Sequence, residues 1–281
     1  MGATFEARYV ERRIREVADF GRGRVHSVYA NSLNVCFDGC GGLVTILNPT
    51  PDVAPASIVL AQRTNFADQG IEVGESARFF QGGLSVGPLS VATKGAIDRS
   101  CVLPRFEKTR ALQNSCYTFA ERVDGNQARF RGFFDPRVER RLAAAQRQFE
   151  KCLASQESIE DAVRGLVGLG CGLTPSGDDF LVGAFAVLLS LKGSADPAVV
   201  RLHAYLADAS DRTTDISRWM IHYALEGRFR ESLIALIEAC ATGAPLDGPL
   251  ELLWSVGASS GFDMSCGVLC GLRACIAKKE M

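Results

Sequence analysis

GLGCGLTPSGDDFLVGAFAVLLSL, from Gly168 to Leu191, decides how the second half of this 281-residue chain is built. Its closing run, FLVGAFAVLLSL, is apolar on nearly every side, so a helix formed here belongs at the centre of a domain. Gly168, Gly170 and Gly172 open backbone paths closed to residues with a side chain, and Pro175 then restricts the chain just before the helix. A buried helix start must find partners for its free amides. Thr174, Ser176, Asp178 and Asp179 bring hydroxyls and carboxylates to that place, and an anionic ligand is the other way to satisfy it. The spacing is not GxGxxG, and the residues before it read as helix, so the turn is no dinucleotide fingerprint. No Lys followed by Ser or Thr comes after the last glycine, so it is no P-loop. Two adjacent carboxylates repel a bare phosphate unless a cation, an arginine or a proton offsets them.

A second turn echoes the first. Ser260, Gly261, Asp263 and Gly267 repeat the order of Ser176, Gly177, Asp179 and Gly183, a shared SGxDxxxG pattern that again opens an apolar helix, VLCGLRACIA. Two readings of the repeat stand side by side. Either both glycines permit close helix packing with Ser and Asp as ordinary caps, or the two helix starts face one another and pool their amides, hydroxyls and acids in one pocket. Between the turns, DRTTDISRWMIHYALEGR sets Thr214, Ser217 and Arg218 near the start of another helix, where Arg212 or Arg218 can grip a carboxylate or phosphate with two donors. The candidate anion-binding set is therefore Gly172, Thr174, Ser176, Gly177, Thr214, Ser217, Arg218, Ser260, Gly261 and Asp263, with Asp178 and Asp179 as candidate catalytic acids. Asp178, Asp179 and Asp263 are also the set that can hold Mg2+, and no other cofactor is indicated. Ser176 lacks the GxSxG order of a nucleophile elbow, Cys171 has no histidine near it in sequence, and a lone His222 beside Tyr223 reads as a packed or surface residue.

Outward from these turns the chain is helical from Asp135 and Pro136 onward. Ser158 caps a helix through Val167, Asp196 and Pro197 start another, Thr213 or Thr214 caps the next, and Glu231 to Thr242 stops at Gly243. From Arg24 to Phe134 the pattern is instead short apolar runs punctuated by Gly, Pro, Asn and Asp. Strands are expected at Val25–Ala30, Leu43–Leu47, Ser57–Gln62, Ile71–Val73, Ala77–Phe80, Leu84–Val86 and Leu89–Ala92. Hairpin turns are expected at Asp38 and Gly39 and between Tyr117–Val123 and Gln127–Phe134. The first twenty residues read as a short amphipathic helix. The fold class is α+β: a small antiparallel barrel or sandwich over residues 1–134, then a helical domain over residues 135–281 carrying the glycine-rich turn.

Composition narrows the function. With 31 basic and 32 acidic residues the net charge is -1, which offers no general field for nucleic acid or an anionic membrane. The longest apolar stretch, Phe180 to Leu191, is far short of the ~20 residues that span a bilayer. The start carries charges throughout, unlike a secretory signal, so a cytoplasmic protein with reduced cysteines is expected. Neither Cys36 with Cys40 nor Cys266 with Cys270 has metal-site spacing.

GxGxGLTPSGDDFLVG, together with TTDIS and SGFDxxxG, resembles a bacterial family first catalogued as a domain of unknown function, some members of which are described as AllH-like subunits of oxamate carbamoyltransferase. The likeness runs from VHSVYANSLNVCF near Val25 into the last helix. It implies a multi-subunit enzyme of purine-nitrogen catabolism that exchanges a carbamoyl group between oxalurate and phosphate, yielding oxamate and carbamoyl phosphate. In that reading Thr174, Ser176 and Gly177 orient a small anionic substrate, and Asp178 or Asp179 binds an amino group, a cation or a proton. The partners implied are other enzyme subunits. A metal-dependent hydrolase using Asp178, Asp179 and Asp263, and a noncatalytic ligand-binding or assembly subunit, are the alternatives.

Overall fold

The computed structural model describes residues 3–16, 21–37, 42–132, 135–155 and 158–276. The chain forms two compact units, Met1–Cys101 and Val102–Met281.

The first unit is a closed barrel. Its strands are β1 (Ala3–Glu11), β2 (Gly21–Val28), β3 (Ser32–Phe37), β4 (Gly42–Leu47), β5 (Ser57–Leu60), β6 (Ser76–Phe80), β7 (Gly83–Val86), β8 (Leu89–Ala92) and β9 (Ile97–Arg99), with one helical turn, α1 (Arg12–Glu16), after β1. The order β5-β4-β3-β2-β6-β7-β8-β1 closes through a β1–β5 pairing, and β9 adds beside β1. Alternate residues fill the interior: Leu33, Val35 and Phe37; Val44 and Ile46; Ile58 and Leu60; Leu84 and Val86; Leu89 and Val91. Phe37 meets Phe79 edge to face at 5.9 Å between centroids. Asn34, buried on β3, receives Thr45 Oγ1 at 2.7 Å and donates to Ser27 Oγ at 2.9 Å.

Three sequence expectations change here. The barrel is mixed rather than wholly antiparallel, because β4–β5, β1–β8 and β1–β9 run parallel. The first segment is mainly strand: Phe5, Ala7 and Tyr9 alternate with the charged Glu6 and Arg8, a period of two that outweighs the helix-forming residues around it, and β1 closes the barrel. Ile71–Val73 forms no strand; Ile71 is buried against the barrel while Val73 is 69% exposed. The turn at Asp38 and Gly39 lies outside the described residues, and the flanking β3 and β4 pair antiparallel with Phe37 opposite Gly42.

The second unit is helical: α2 (Arg110–Phe130), α3 (Pro136–Ser155), α4 (Glu160–Leu166), α5 (Ser176–Lys192), α6 (Pro197–Ala209), α7 (Asp215–Leu225), α8 (Glu231–Thr242), α9 (Asp247–Trp254) and α10 (Ser260–Ile276). The expected hairpin from Tyr117 is instead part of α2 as far as Phe130, and the end of its second strand, at 133–134, lies outside the described residues. Thr109 caps it by accepting Leu112 N at 3.2 Å, and Leu112, Phe119, Val123 and Phe130 form its buried stripe. The Asp-Gly-Asn at 124–126 faces outward in mid-helix. Gly125 has open space around it, so its intrinsic helix penalty of about 1 kcal/mol is outweighed by the buried face. α2 belongs to the unit that runs from Val102 to Met281. Three other helix boundaries follow their sequence signals: Asp196 accepts Ala198 N at the start of α6, Thr214 caps α7, and α8 ends on Gly243 in the left-handed conformation; at α4 the N-cap position is taken by Ile159 rather than the expected Ser158. No helix is long and apolar enough to cross a membrane among the described residues.

Candidate functional site

The centre of the helical unit is α5 crossed by α10, and the repeated SGxDxxxG pattern makes the crossing. A Cβ on Gly183 would lie 2.1 Å from Met264 O, and one on Gly267 would lie 1.9 Å from Phe180 O, so at both points the backbones touch. The leading glycines make a second matched pair of contacts. A Cβ on Gly177 would meet Leu166 O at 2.0 Å, and one on Gly261 would meet Leu253 O at 1.7 Å. The two helices are therefore related by an approximate internal twofold, and this close packing sets their polar first turns against one another.

Asp178 and Asp179, neighbours in sequence, do different work. Asp178 is buried with its oxygens occupied: Oδ1 accepts Gly168 N at 2.8 Å, and Oδ2 accepts Ser217 Oγ at 2.6 Å and the Thr213 hydroxyl. Thr214 adds a parallel tie, donating to Leu173 O while its oxygen caps Ser217 N at 3.2 Å. Burial raises the Asp178 pKa, against the opposing pull of Ser217, Thr213 and the Gly168 amide. This carboxylate fastens the glycine turn to the start of α7. Asp178→Ala leaves those donors stranded and is expected to destabilise the helical unit by about 3 kcal/mol, measured by urea unfolding, with Asp178→Asn intermediate.

Asp179 points the other way, towards Asp263, and both are fully buried. Desolvation, followed by the charge of Asp263, pushes Asp179 well above the usual carboxylate range. The hydroxyls of Ser260 and Thr174 are near enough to pull it back, yet neither of its oxygens receives a well-aligned hydrogen bond. Asp263 is also raised by burial, opposed by Arg131, Ser176 and Ser259. The contacts are reciprocal: each acid lies beside the serine that starts the other helix. Thr174 Oγ1 and Ser260 Oγ are 2.8 Å apart and bridge the two turns, both half-buried, below the exposed Gly172 and Leu173. Burial therefore favours the protonated form of both acids, and for Asp179 the neighbouring charge of Asp263 adds to it.

Arg131 is a residue that the sequence does not single out. It follows α2, lies 2.9 Å from Asp263 Oδ1 through Nη1, and rests over the Phe262 ring at 5.4 Å. No motif marks it, and the hairpin reading places it in a strand. Arg218 is not brought to the acid pair; it is partly exposed on α7 beside Asp215 at 3.4 Å and Asp211 at 3.6 Å. His222 packs edge-on to Trp219 at 5.2 Å, and Cys171 is exposed on the turn. With Asp178 turned to Gly168, the Asp178, Asp179 and Asp263 carboxylates do not converge. Among the described residues no group of three His, Cys, Asp or Glu side chains is placed to hold a metal.

Fold and site together define a two-part chain, a closed mixed barrel and a helical unit built around crossed helices with a buried acid pair. Residues 3–99 match the AllH family N-terminal domain, and residues 166–272 match the oxamate carbamoyltransferase subunit AllH. The chain belongs to the AllH family. No solved structure matches it. The second match runs from the end of α4 through α10 and so contains both SGxDxxxG turns, whereas α2, α3 and Arg131 lie between the matched regions.

Proposed function

We propose that this chain works as the AllH subunit of an oxamate carbamoyltransferase, together with partner subunits, and that its acid pair serves the transfer of a carbamoyl group between oxalurate and phosphate. The observation that carries this is Asp179 facing Asp263 at two buried helix starts, with Thr174, Ser176, Ser260 and Arg131 around them. The reaction needs little else from the protein. A phosphate oxygen attacks the carbamoyl carbon, negative charge gathers on the carbonyl oxygen, and the bond to the oxamate nitrogen breaks as that nitrogen takes up a proton. Phosphate enters with one proton and oxamate leaves with it, so a pair of acids sharing a single proton can accept at one oxygen and donate at another, ending as it began. The hydroxyls of Thr174 and Ser260 are the donors nearest the surface, fitted to orient the phosphate. Asp178, Thr214, Ser217, Gly177 and Gly261 support that arrangement by fixing the turns, and Gly172 lets the turn close over the anion.

The test is carbamoyl phosphate formation from oxalurate and phosphate by the chain assembled with its partner subunits. Thr174→Val and Ser260→Ala are each expected to lower kcat/KM by about 10- to 100-fold with the fold intact by circular dichroism. An assembled enzyme without transfer activity would count against the reading, and full activity in the double variant would remove the hydroxyls from it.

A further inference from the structure

Arg131, the ion-pair partner of Asp263, borders a cavity of about 650 Å³. It lies over α10, whose Phe262, Cys266, Leu269 and Cys270 form part of the floor, with α2 on one side and α3 on the other. This volume is within the ~300–1,000 Å³ typical of small-molecule sites. Phe180 and Phe262, which adjoin the acids in sequence, line it together with Arg131, so the Arg131 guanidinium stands between the cavity and the buried Asp263.

What α3 contributes is unusual for a helix side turned towards its neighbours. Leu142, Phe149 and Cys152 pack into the core, but Glu139, Arg140, Gln146, Arg147 and Glu150 line the cavity. The acids there are already engaged: Glu139 accepts Gly132 N at 2.6 Å, Glu150 lies 3.4 Å from Arg273, and Asp124 on α2 accepts Gln127 Nε2 at 3.2 Å. Arg140 and Arg147 have no ion pair among the described residues. Gln146 Nε2 is buried without an acceptor, and Arg131 Nη1 keeps its ion pair but makes no well-aligned hydrogen bond. A buried amide donor without an acceptor is unfavourable, so a lining of this kind is suited to a ligand that brings oxygen acceptors.

We infer that this cavity binds the amide-bearing carboxylate substrate, the oxamate or oxalurate class, with its carboxylate held by Arg147 and Arg140, a carbonyl oxygen on Gln146, and its amide end directed past Arg131 to the acid pair. The assignment rests on the function proposed above. It uses the mixed lining as it stands. Guanidinium groups match the carboxylate, and the carboxylate side chains nearby match the N–H groups of a carbamoyl compound, which a purely basic pocket would not. It also separates the two reactants. Phosphate is oriented at the Thr174 and Ser260 hydroxyls and the amide-bearing carboxylate on the Arg131 face, with the acid pair between them.

Oxamate and pyruvate test the assignment, because they differ by an amide NH2 in place of a methyl group. In calorimetry on the purified chain, oxamate is expected to bind at least 10-fold tighter than pyruvate, and Gln146→Leu and Arg147→Gln are each expected to weaken oxamate at least 10-fold. In the assembled enzyme the same variants raise KM for oxamate in the reverse reaction by a similar factor. Gln146→Leu removes a stranded donor, so it is expected to melt no lower than the parent, which keeps loss of binding distinct from loss of fold. If the assembled enzyme transfers carbamoyl groups and both variants leave KM unchanged, the cavity assignment is overturned and the function stands. If oxamate binds in a Gln146-dependent way but the assembled enzyme shows no transfer, the function falls and the cavity remains a carboxylate site. Equal binding of oxamate and pyruvate overturns the recognition of the amide, and the absence of both binding and transfer overturns both proposals.

Discussion

Gly267→Ala is expected to lower the stability of the helical unit by at least about 3 kcal/mol, or to prevent its folding, although the substitution adds a single methyl group. The new Cβ would lie 1.9 Å from Phe180 O and 2.9 Å from Ala184 N, both backbone atoms of the most buried helix in the molecule. A flexible side chain would move aside, but a helix backbone cannot without shifting as a body. Gly183→Ala places its methyl 2.1 Å from Met264 O, the matching contact across the approximate twofold, and should behave in the same way. Intrinsic propensity runs against this outcome, since alanine favours a helix over glycine by about 1 kcal/mol, so a net loss measures the packing. Gly125→Ala is the control: it is mid-helix on α2 with open space around it, and is expected to gain up to about 1 kcal/mol. Urea unfolding followed by far-ultraviolet circular dichroism compares all three. A Gly267→Ala protein within about 1 kcal/mol of the parent would mean the helices can part cheaply and that close approach is not what holds the acids together.

The same crossing shows where sequence reasoning reaches and where it stops. The run from Phe180 to Leu191 announces a buried helix because it lacks a polar face, and the repeat of Ser, Gly, Asp and Gly at identical intervals announces that two helix starts are alike. Both features are local, and local spacing survives folding. The strands of the barrel interior are legible for the same reason, since alternation at Leu84–Val86 or Leu89–Ala92 is a property of neighbours. The mixed strand directions are not, because β1 reaches β8 and β9 across the barrel and only the closed structure fixes which way each strand runs. Asp-Gly-Asn gives a misleading signal within α2. A turn signal of that kind is worth about a kilocalorie locally, and the stripe of Leu112, Phe119, Val123 and Phe130 buries far more. Without α2 as a helix, Arg131 has no place beside the acids, and the cavity it borders cannot be foreseen. Sequence adjacency also hides the division between the acids. On a helix, neighbouring side chains point about 100° apart, so Asp178 faces the glycine turn and α7 while Asp179 faces Asp263.

That division leads to the strongest functional prediction. Asp179→Asn should make the protein more stable at neutral pH and nearly inactive. In the unfolded chain an aspartate titrates at about 3.9, whereas burial and the neighbouring Asp263 hold Asp179 well above its ordinary range in the folded state. Well below about pH 4 the residue is protonated in both states and contributes no pH dependence. As the pH rises from there, the unfolded chain gives up its proton while the folded protein keeps it, so the unfolded state binds fewer protons and stability declines with pH. The decline continues until the raised folded-state pKa is passed, after which the penalty is complete. Asparagine has the same shape without the charge, and its amide can donate to Asp263 or to the Thr174 and Ser260 oxygens. The variant should therefore gain about 1–3 kcal/mol over the parent at about pH 8, little near pH 4, and lose the downward slope between them. Asp263→Asn should not show the same gain, because it leaves the Arg131 guanidinium beside a neutral partner. Catalysis is expected to move in the opposite direction, with kcat of the assembled enzyme reduced by about 100- to 10,000-fold, since a side-chain amide in place of the Asp179 carboxyl cannot take part in sharing a proton. Thermal unfolding of parent and variant in acidic, near-neutral and mildly alkaline buffer reads the first effect, and carbamoyl phosphate formation reads the second. A variant less stable than the parent in the alkaline buffer would mean that Asp179 carries its charge with adequate partners, and the proton-sharing pair would fail with it. A stabilised variant that keeps full activity would instead leave the pair a cost of helix packing, with the chemistry to be sought on the partner subunits.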